Sequence, residues 1–268
     1  MASALDPAVL SLPRILCLHG GGVNAEVFRM QSRSIIKVLQ GRFRLVFADA
    51  PFLCEPGPGI VPVYEDYGPF RRWLRWLPEH SEIEAEVATD EIWWQLKDAM
   101  DTDNNAGATG EWVGLLGFSQ GAKLSASLLY EQQYRNKLKA TGENTKEDDE
   151  KPNFRFAVLL AGRAPLVSLR PETDSVPALV SAAEISEGFQ AVEVETDDHI
   201  LKLPTIHVHG LQDGGLHLHQ RLQTQYCDRS SVTLVEWDGA HRVPFKNSDV
   251  QLVTDAIFDV VKKIGLQI

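Results

Sequence analysis

Apolar and polar positions alternate along this chain in a regular beat. Short apolar runs occur at residues 14–18, 43–51, 111–118, 154–162, 204–210 and 231–237. Each is five to nine residues long and bounded by glycine, proline or charged residues, as expected of buried strands. Between them lie stretches of helical period. Residues 25–40 carry Val27, Met30, Ile35, Val38 and Leu39 at roughly helical spacing, and helical patterns recur around 82–100, 120–138 and 217–227. The last, over 249–265, sets Val250, Val253, Ile257, Val260 and Val261 on one stripe. Strand-then-helix alternation with strands apolar throughout predicts an α/β fold: a mostly parallel central sheet with helices on both faces.

Three stretches break the beat. Residues 52–80 are rich in Pro, Gly and Trp; residues 139–152 are strongly polar; residues 163–203 follow the fourth strand as an insertion. The polar stretch predicts an exposed, mobile loop. The other two stand where parallel sheets build their pockets, beyond strand ends. The expectation is a single domain over residues 1–268, with insertions near 52–80 and 163–203 and a polar loop at 139–152.

Composition narrows the function. A length of 268 residues with 44% hydrophobic residues supplies one substantial core. A net charge of −11 gives no counterion-release gain on nucleic acid and no pull toward anionic lipid. Nucleic acid and membrane are therefore not expected partners. Three cysteines, Cys17, Cys54 and Cys227, form no C-x-x-C pair and point to a reducing compartment. Residues 1–18 lack a basic segment followed by a long apolar core, and no run approaches a bilayer span. These features predict a cytoplasmic protein.

The chemistry concentrates at three joints. Gly117-Phe118-Ser119-Gln120-Gly121 is a G-x-S-x-G pattern placed after a strand and before a helix. That context turns a common pentapeptide into a nucleophile elbow, with flanking glycines that leave room for a sharp turn. A serine needs a base, and the base needs an orienting carboxylate. The chain order of such folds, Ser then acid then His, selects Asp213 after the fifth strand and His241 after the sixth. Asp238 shares a short loop with His241 and is badly placed to reach the imidazole from behind. An oxyanion hole requires the N–H of Gln120 and one from the glycine loop at 18–24, with Gly21 as first choice and Gly22 as second. That loop has neither G-x-G-x-x-G nor G-K-[ST], so a nucleotide site is weakly supported.

His207, His209, His217 and His219 flank Asp213 in a pattern that resembles a metal site. Histidines on a covered strand are more simply core residues, and His219 is expected to face solvent. No metal and no organic cofactor is predicted. Residues 67–78 suggest a short helix with Phe70, Trp73, Leu74 and Leu77 on one face. Phe70 and Trp73 would then wall an acyl chain, leaving Arg71, Arg72 and Arg75 free for a phosphate or an acidic surface. The alternative is that the aromatics are core and the arginines a solvated face.

Together, "ILCLHGGGVNAEVFRMQ", "FADAPFLCEPGPGI", "LLGFSQGA", "PTIHVHGLQD" and "WDGAHRVP" resemble the fungal serine hydrolases of the FSH type, a branch of the α/β-hydrolases. That family includes polyketide-releasing thioesterases of the lovastatin-pathway type. The resemblance spans nearly the whole chain. It implies an α/β-hydrolase fold and the triad Ser119, Asp213 and His241. It also implies an acyl thioesterase that releases a polyketide chain from a synthase, with the synthase's acyl-carrier domain as partner. A carboxylesterase for small-molecule esters would use the same residues. A non-catalytic binding protein on the same scaffold is the reading from another class.

Overall fold

The computed structural model describes residues 7–186, 189 and 197–268. Its centre is a six-stranded sheet built from β1 (Arg14–Leu18), β2 (Arg44–Ala48), β5 (Trp112–Phe118), β6 (Phe156–Leu160), β9 (Thr205–Gly210) and β10 (Val232–Trp237). The order is β10-β9-β6-β5-β1-β2, and every neighbouring pair is parallel. Four short strands stand outside it: β3 (Phe52–Cys54) pairs antiparallel with β4 (Phe70–Arg72), and β7 (Val167–Ser168) pairs with β8 (Val180–Ser181).

The helices are α1 (Pro7–Leu10), α2 (Ala25–Gln31), α3 (Arg33–Leu39), α4 (Ala85–Asn105), α5 (Gln120–Thr141), α6 (Lys146–Glu150), α7 (Leu216–Gln225) and α8 (Asn247–Lys263). The sheet separates two cores. Ile15, Cys17, Phe156 and Val158 face α2, α3 and α8, meeting Phe28, Ile35, Leu39, Val253 and Ile257. Leu16, Leu18, Ala157 and Leu159 face the opposite way, toward Ile92, Leu96, Leu124, Leu128 and Leu222. This two-sided burial explains the continuous apolar runs of the strands. The pattern expected as one helix over 25–40 is two helices, broken at Ser32, which is buried. Among the described residues no helix is long and apolar enough to cross a membrane.

The segment after β6 wraps α5. The Val167 N–H donates to Ser127 Oγ, Tyr130 Oη donates to Asp198 O, and Gln133 bonds both Ile200 O and Lys202 N. Covered by the sheet on one side and this segment on the other, α5 is buried nearly all round from Gly121 to Gln132. Residues 187–188 and 190–196 of the expected 163–203 insertion lie outside the described residues, as do residues 1–6.

The polar stretch at 139–152 is not a free loop. Residues 139–141 close α5, and α6 follows with a reciprocal cap: the Asp148 N–H donates to Thr145 Oγ1, and the Thr145 N–H donates to Asp148 Oδ2. Most of its charges are exposed, as its composition implies, but Asp148 and Lys151 turn inward to partners outside the stretch. Glu131 lies within 3.3 Å of Arg170 Nη1, 3.7 Å of Lys151 Nζ and 3.8 Å of Arg135 Nε, and Asp148 lies 3.4 Å from Arg170 Nη1. Composition alone does not reveal these two contacts, because the partners come from elsewhere in the chain.

Candidate active site

The carboxyl ends of β5, β9 and β10 bring three side chains together. Ser119 sits between β5 and α5 with φ 53 and ψ −112, a positive-φ conformation that an L-residue holds only under strain. Its N–H is fixed to Leu160 O at 2.8 Å. The flanking glycines have a steric cause. A Cβ at Gly117 would overlap the Gly121 carbonyl, and one at Gly121 would overlap the Leu18 carbonyl. The turn closes only where those two side chains are absent.

The Ser119 Oγ lies 2.9 Å from His241 Nε2, and His241 Nδ1 lies 2.6 Å from Asp213 Oδ2. The other oxygen of Asp213 accepts the Gly215 N–H at 2.8 Å. The loops carrying Asp213 and His241 are tied together by backbone: Leu211 N–H donates to Trp237 O and Gln212 N–H to Gly239 O. A Cβ at Gly210 would stand 2.5 Å from the Gly239 oxygen, so glycine permits this approach. Asp213 is buried. Burial alone would raise its pKa, but the Gly215 N–H and the His241 hydrogen bond outweigh it and hold the carboxyl below its ordinary range. The rival Asp238 is exposed and bonds Gln212 Nε2 at 3.4 Å. The three residues expected to meet do meet, in a serine–imidazole–carboxylate relay able to generate a nucleophilic alkoxide.

At the other side of Ser119 lies the glycine loop. Neither the Gln120 N–H nor the Gly21 N–H has an acceptor among the described residues. The Gly22 N–H is occupied by Arg71 O at 3.0 Å, which removes the second choice. His19 organises this loop. Its Nδ1 donates to Gly20 O at 2.7 Å and its Nε2 accepts the Ala50 N–H at 3.0 Å, which requires the neutral ring. Burial lowers its pKa to about 4. The sequence shows this histidine only as the H of H-G-G-G, which carries no signal of that role.

Phe70 and Trp73 do not form the expected acyl wall. No α-helix occurs over 67–78; Phe70 lies in β4, pairing with Cys54 across the hairpin. The helical spacing of the aromatics is incidental, and a distant strand claims the segment. Phe70 packs with Val23, Val27 and Ile60. Trp73 is fully buried, and its Nε1 donates to His19 O at 3.0 Å. Both residues support the glycine loop from behind. Trp76 lies closer to it, although no motif marks that residue: a Cβ at Gly21 would meet its indole at 2.8 Å. The arginines are not free either. Arg71 Nη1 donates to Ala50 O, Arg72 is buried over the Phe52 ring, and Arg75 Nη1 donates to Ala183 O.

The two histidines before Asp213, His207 and His209, are core residues on β9, as expected, and are buried with pKa values lowered by burial to about 3 and about 4. His219 differs from expectation. It is fully buried, with Nε2 3.6 Å from Asp213 Oδ2, because α7 turns that face inward onto β9. Donor atoms of Asp213, His219 and His241 lie within 4.8 Å of one another, a set that a divalent cation could span only by displacing the His241–Asp213 hydrogen bond.

Known proteins resemble this arrangement. The family described as "Serine hydrolase (FSH1)" matches residues 9–253. "Esterase pigG" of Monascus ruber is 49% identical over 265 residues, 97% of this chain and 96% of its own. "Esterase claE" of Penicillium crustosum is 48% identical over 268 residues, covering 98% and 97%. Among solved structures, esterase PE8 superposes with a TM-score of 0.52 at 16% identity, covering 95% of this chain and 96% of that one. SOBER1 of Arabidopsis thaliana gives 0.50 at 17% identity, covering 95% and 99%. At such identity these two speak for the fold alone, that of the α/β-hydrolases.

Proposed function

This chain belongs to the serine hydrolase (FSH1) family, and from that premise we propose that Ser119 is the nucleophile, His241 the general base and acid, and Asp213 the residue that orients the imidazole and balances its charge. The observation that carries this reading is the unbroken path Ser119 Oγ, His241, Asp213 at 2.9 Å and 2.6 Å. A non-catalytic binding role leaves that path, and the strained serine at its head, without a purpose.

In this reading residues 1–268 act as one hydrolase domain. His241 Nε2 accepts the Ser119 proton as Oγ attacks the acyl carbonyl. The Gln120 and Gly21 N–H groups stabilise the oxyanion, each worth about 2.7–4 kcal/mol of barrier. His241 then donates its proton to the leaving group, and water repeats the sequence on the acyl-enzyme. Every proton has a protein carrier, so the cycle runs without metal or organic cofactor. Trp76, against Gly21, takes the place in the acyl wall expected of Trp73.

The substrate class is an acyl ester of a small molecule, the chemistry named by the esterases of Monascus ruber and Penicillium crustosum. The finer reading is a cytoplasmic thioesterase that releases a polyketide from a synthase carrier domain. The family resemblance of the sequence supports it; the inward-held arginines withdraw the phosphate contact that would have strengthened it.

The test compares kcat/KM on matched acyl oxyesters and thioesters of graded length, with Ser119→Ala as reference. We expect turnover that Ser119→Ala reduces by at least about a thousandfold. Wild-type rates in that variant would overturn the assignment. Thioester preference selects the carrier-release reading, and oxyester preference selects the carboxylesterase.

A further inference from the structure

One turn beyond the nucleophile stands an ammonium with no anionic partner among the described residues. Lys123, on α5, is 6% exposed, and its Nζ bonds the neutral Ser186 Oγ at 2.6 Å from the segment that wraps the helix. Its charged neighbour among the described residues is another cation, Arg163, from the loop after β6. Arg163 Nε is buried without an acceptor, and its guanidinium lies so close to Gly215 that a Cβ there would meet Nη2 at 2.7 Å. The nearest carboxylate, Asp213, is 4.0 Å from Arg163 Nη2 and already shares its oxygens between Gly215 and His241.

Burying a cation against a hydroxyl and a second cation is unfavourable without a counter-charge. Burial first, and Arg163 second, lower the Lys123 pKa to about 7. Such perturbed groups cluster at functional sites. On the same helix the buried Arg135 meets a carboxylate, Glu131, as does Arg170 from the wrapping segment. Lys123 has no such carboxylate among the described residues, and Arg163 beside it is partly exposed.

We propose that Lys123 and Arg163 form an anion subsite for the acyl part of the substrate, one that takes a carboxylate or ionised enol oxygen displaced from the scissile carbonyl. This rests on the hydrolase reading and narrows its substrate class to acyl chains that carry a negative charge. The insertion supplies Ser186 as a third donor, which places specificity on the segment that varies from the regular α/β pattern.

The probes are monoethyl esters of C6 to C10 dicarboxylic acids, each paired with the ethyl ester of the monocarboxylic acid of equal length. The quantity read is the ratio of kcat/KM, anionic over neutral. Any effect common to both members of a pair cancels in the ratio. We expect the ratio to fall at least about tenfold in Lys123→Met and to fall in the wild-type protein as pH rises from 6 to 9, through the loss of the Lys123 charge. A guanidinium keeps its charge over that window, Asp213 stays ionised, and the buried His209 and His219 stay neutral.

A ratio equal in wild type and Lys123→Met, and flat with pH, overturns the subsite and leaves the hydrolase standing. If Lys123→Met does not fold, the wild-type pH dependence decides. Calorimetric binding of the same monoesters to Ser119→Ala separates the two readings further. Tighter binding of the anionic member without wild-type turnover keeps the subsite and overturns the hydrolase. Equal binding of both members overturns the subsite.

Discussion

The side chain of Gln120 and the backbone of Leu74 exchange two hydrogen bonds: the Leu74 N–H donates to Oε1 at 3.1 Å, and Nε2 donates to Leu74 O at 3.0 Å. The Trp73 N–H adds a third at 2.6 Å. The residue whose backbone is proposed to stabilise the oxyanion thus also clamps the segment that walls the glycine loop. Gln120→Ala retains the backbone N–H but strands three peptide groups. We expect a loss of about 1–3 kcal/mol in urea unfolding, with a lower kcat from the loosened wall. Unchanged stability would remove the clamp from the account.

Asp213→Asn keeps the shape of the side chain but favours the wrong imidazole tautomer. By the precedent of serine proteases, kcat should fall by about 10⁴. Steady-state kinetics on the best ester of the oxyester and thioester series checks this, and a loss below about tenfold would argue that Asp213 is only a packing residue.

Gly121→Ala places a Cβ into the Leu18 carbonyl and within 2.6 Å of the His19 oxygen. Backbone cannot yield as a side-chain tip does, so the elbow must shift. We expect destabilisation of about 1–3 kcal/mol, seen as a lowered urea midpoint, and activity lost out of proportion to it. A variant with wild-type kcat would show the turn to be more tolerant than its geometry implies.

Acid should unfold this protein early. His19, His207, His209 and His219 are buried, and their pKa values are lowered to about 4, 3, 4 and 4 by burial. Their unfolded values lie near about 6.5. The unfolded chain therefore binds more protons below roughly pH 6.5, and stability present above that value is lost as pH falls toward about 4. Each histidine contributes a slope of up to about 1.4 kcal/mol per pH unit. Urea midpoints measured from about pH 7 to about pH 4.5 should drop steeply, and a flat profile would mean these rings find counter-charges on folding.

Thr145→Ala removes the cap of α6 and should cost about 1 kcal/mol, while Thr145→Ser, which keeps the hydroxyl, should cost much less. Equal stability of all three proteins would show that the pairing around Glu131, rather than the cap, holds this segment.

What is legible in the sequence and what is not divide along a physical line. The six strands, the helices between them and the G-x-S-x-G joint are readable because their causes are local: apolar runs, helical period and glycines at a sharp turn. The structure brings Ser119, Asp213 and His241 together in keeping with their chain order. The misreadings share a different origin. Phe70 and Trp73 carry helical spacing, yet Phe52–Cys54 recruits the segment as a strand. The 139–152 stretch is largely exposed as its composition implies, but the inward pairing of Asp148 and Lys151 with Arg170 and Glu131 is not visible in it. His219 reads as exposed until α7 is packed on β9. Each depends on a tertiary contact that neither hydrophobic period nor composition encodes.

The order β10-β9-β6-β5-β1-β2 puts the serine's strand in the middle of the sheet and the strands of its two partners last, at one edge. Ser119 and His241 are 122 residues apart in the chain. The edge strands dock on β6, so the three side chains meet only once β9 and β10 have joined β6 and β5. On the proposed triad, a nascent or partly refolded chain is chemically silent, and the regain of turnover is a clock that marks the arrival of the last strand. On the same proposal, this ordering keeps a reactive alkoxide from forming on a chain that still exposes its core.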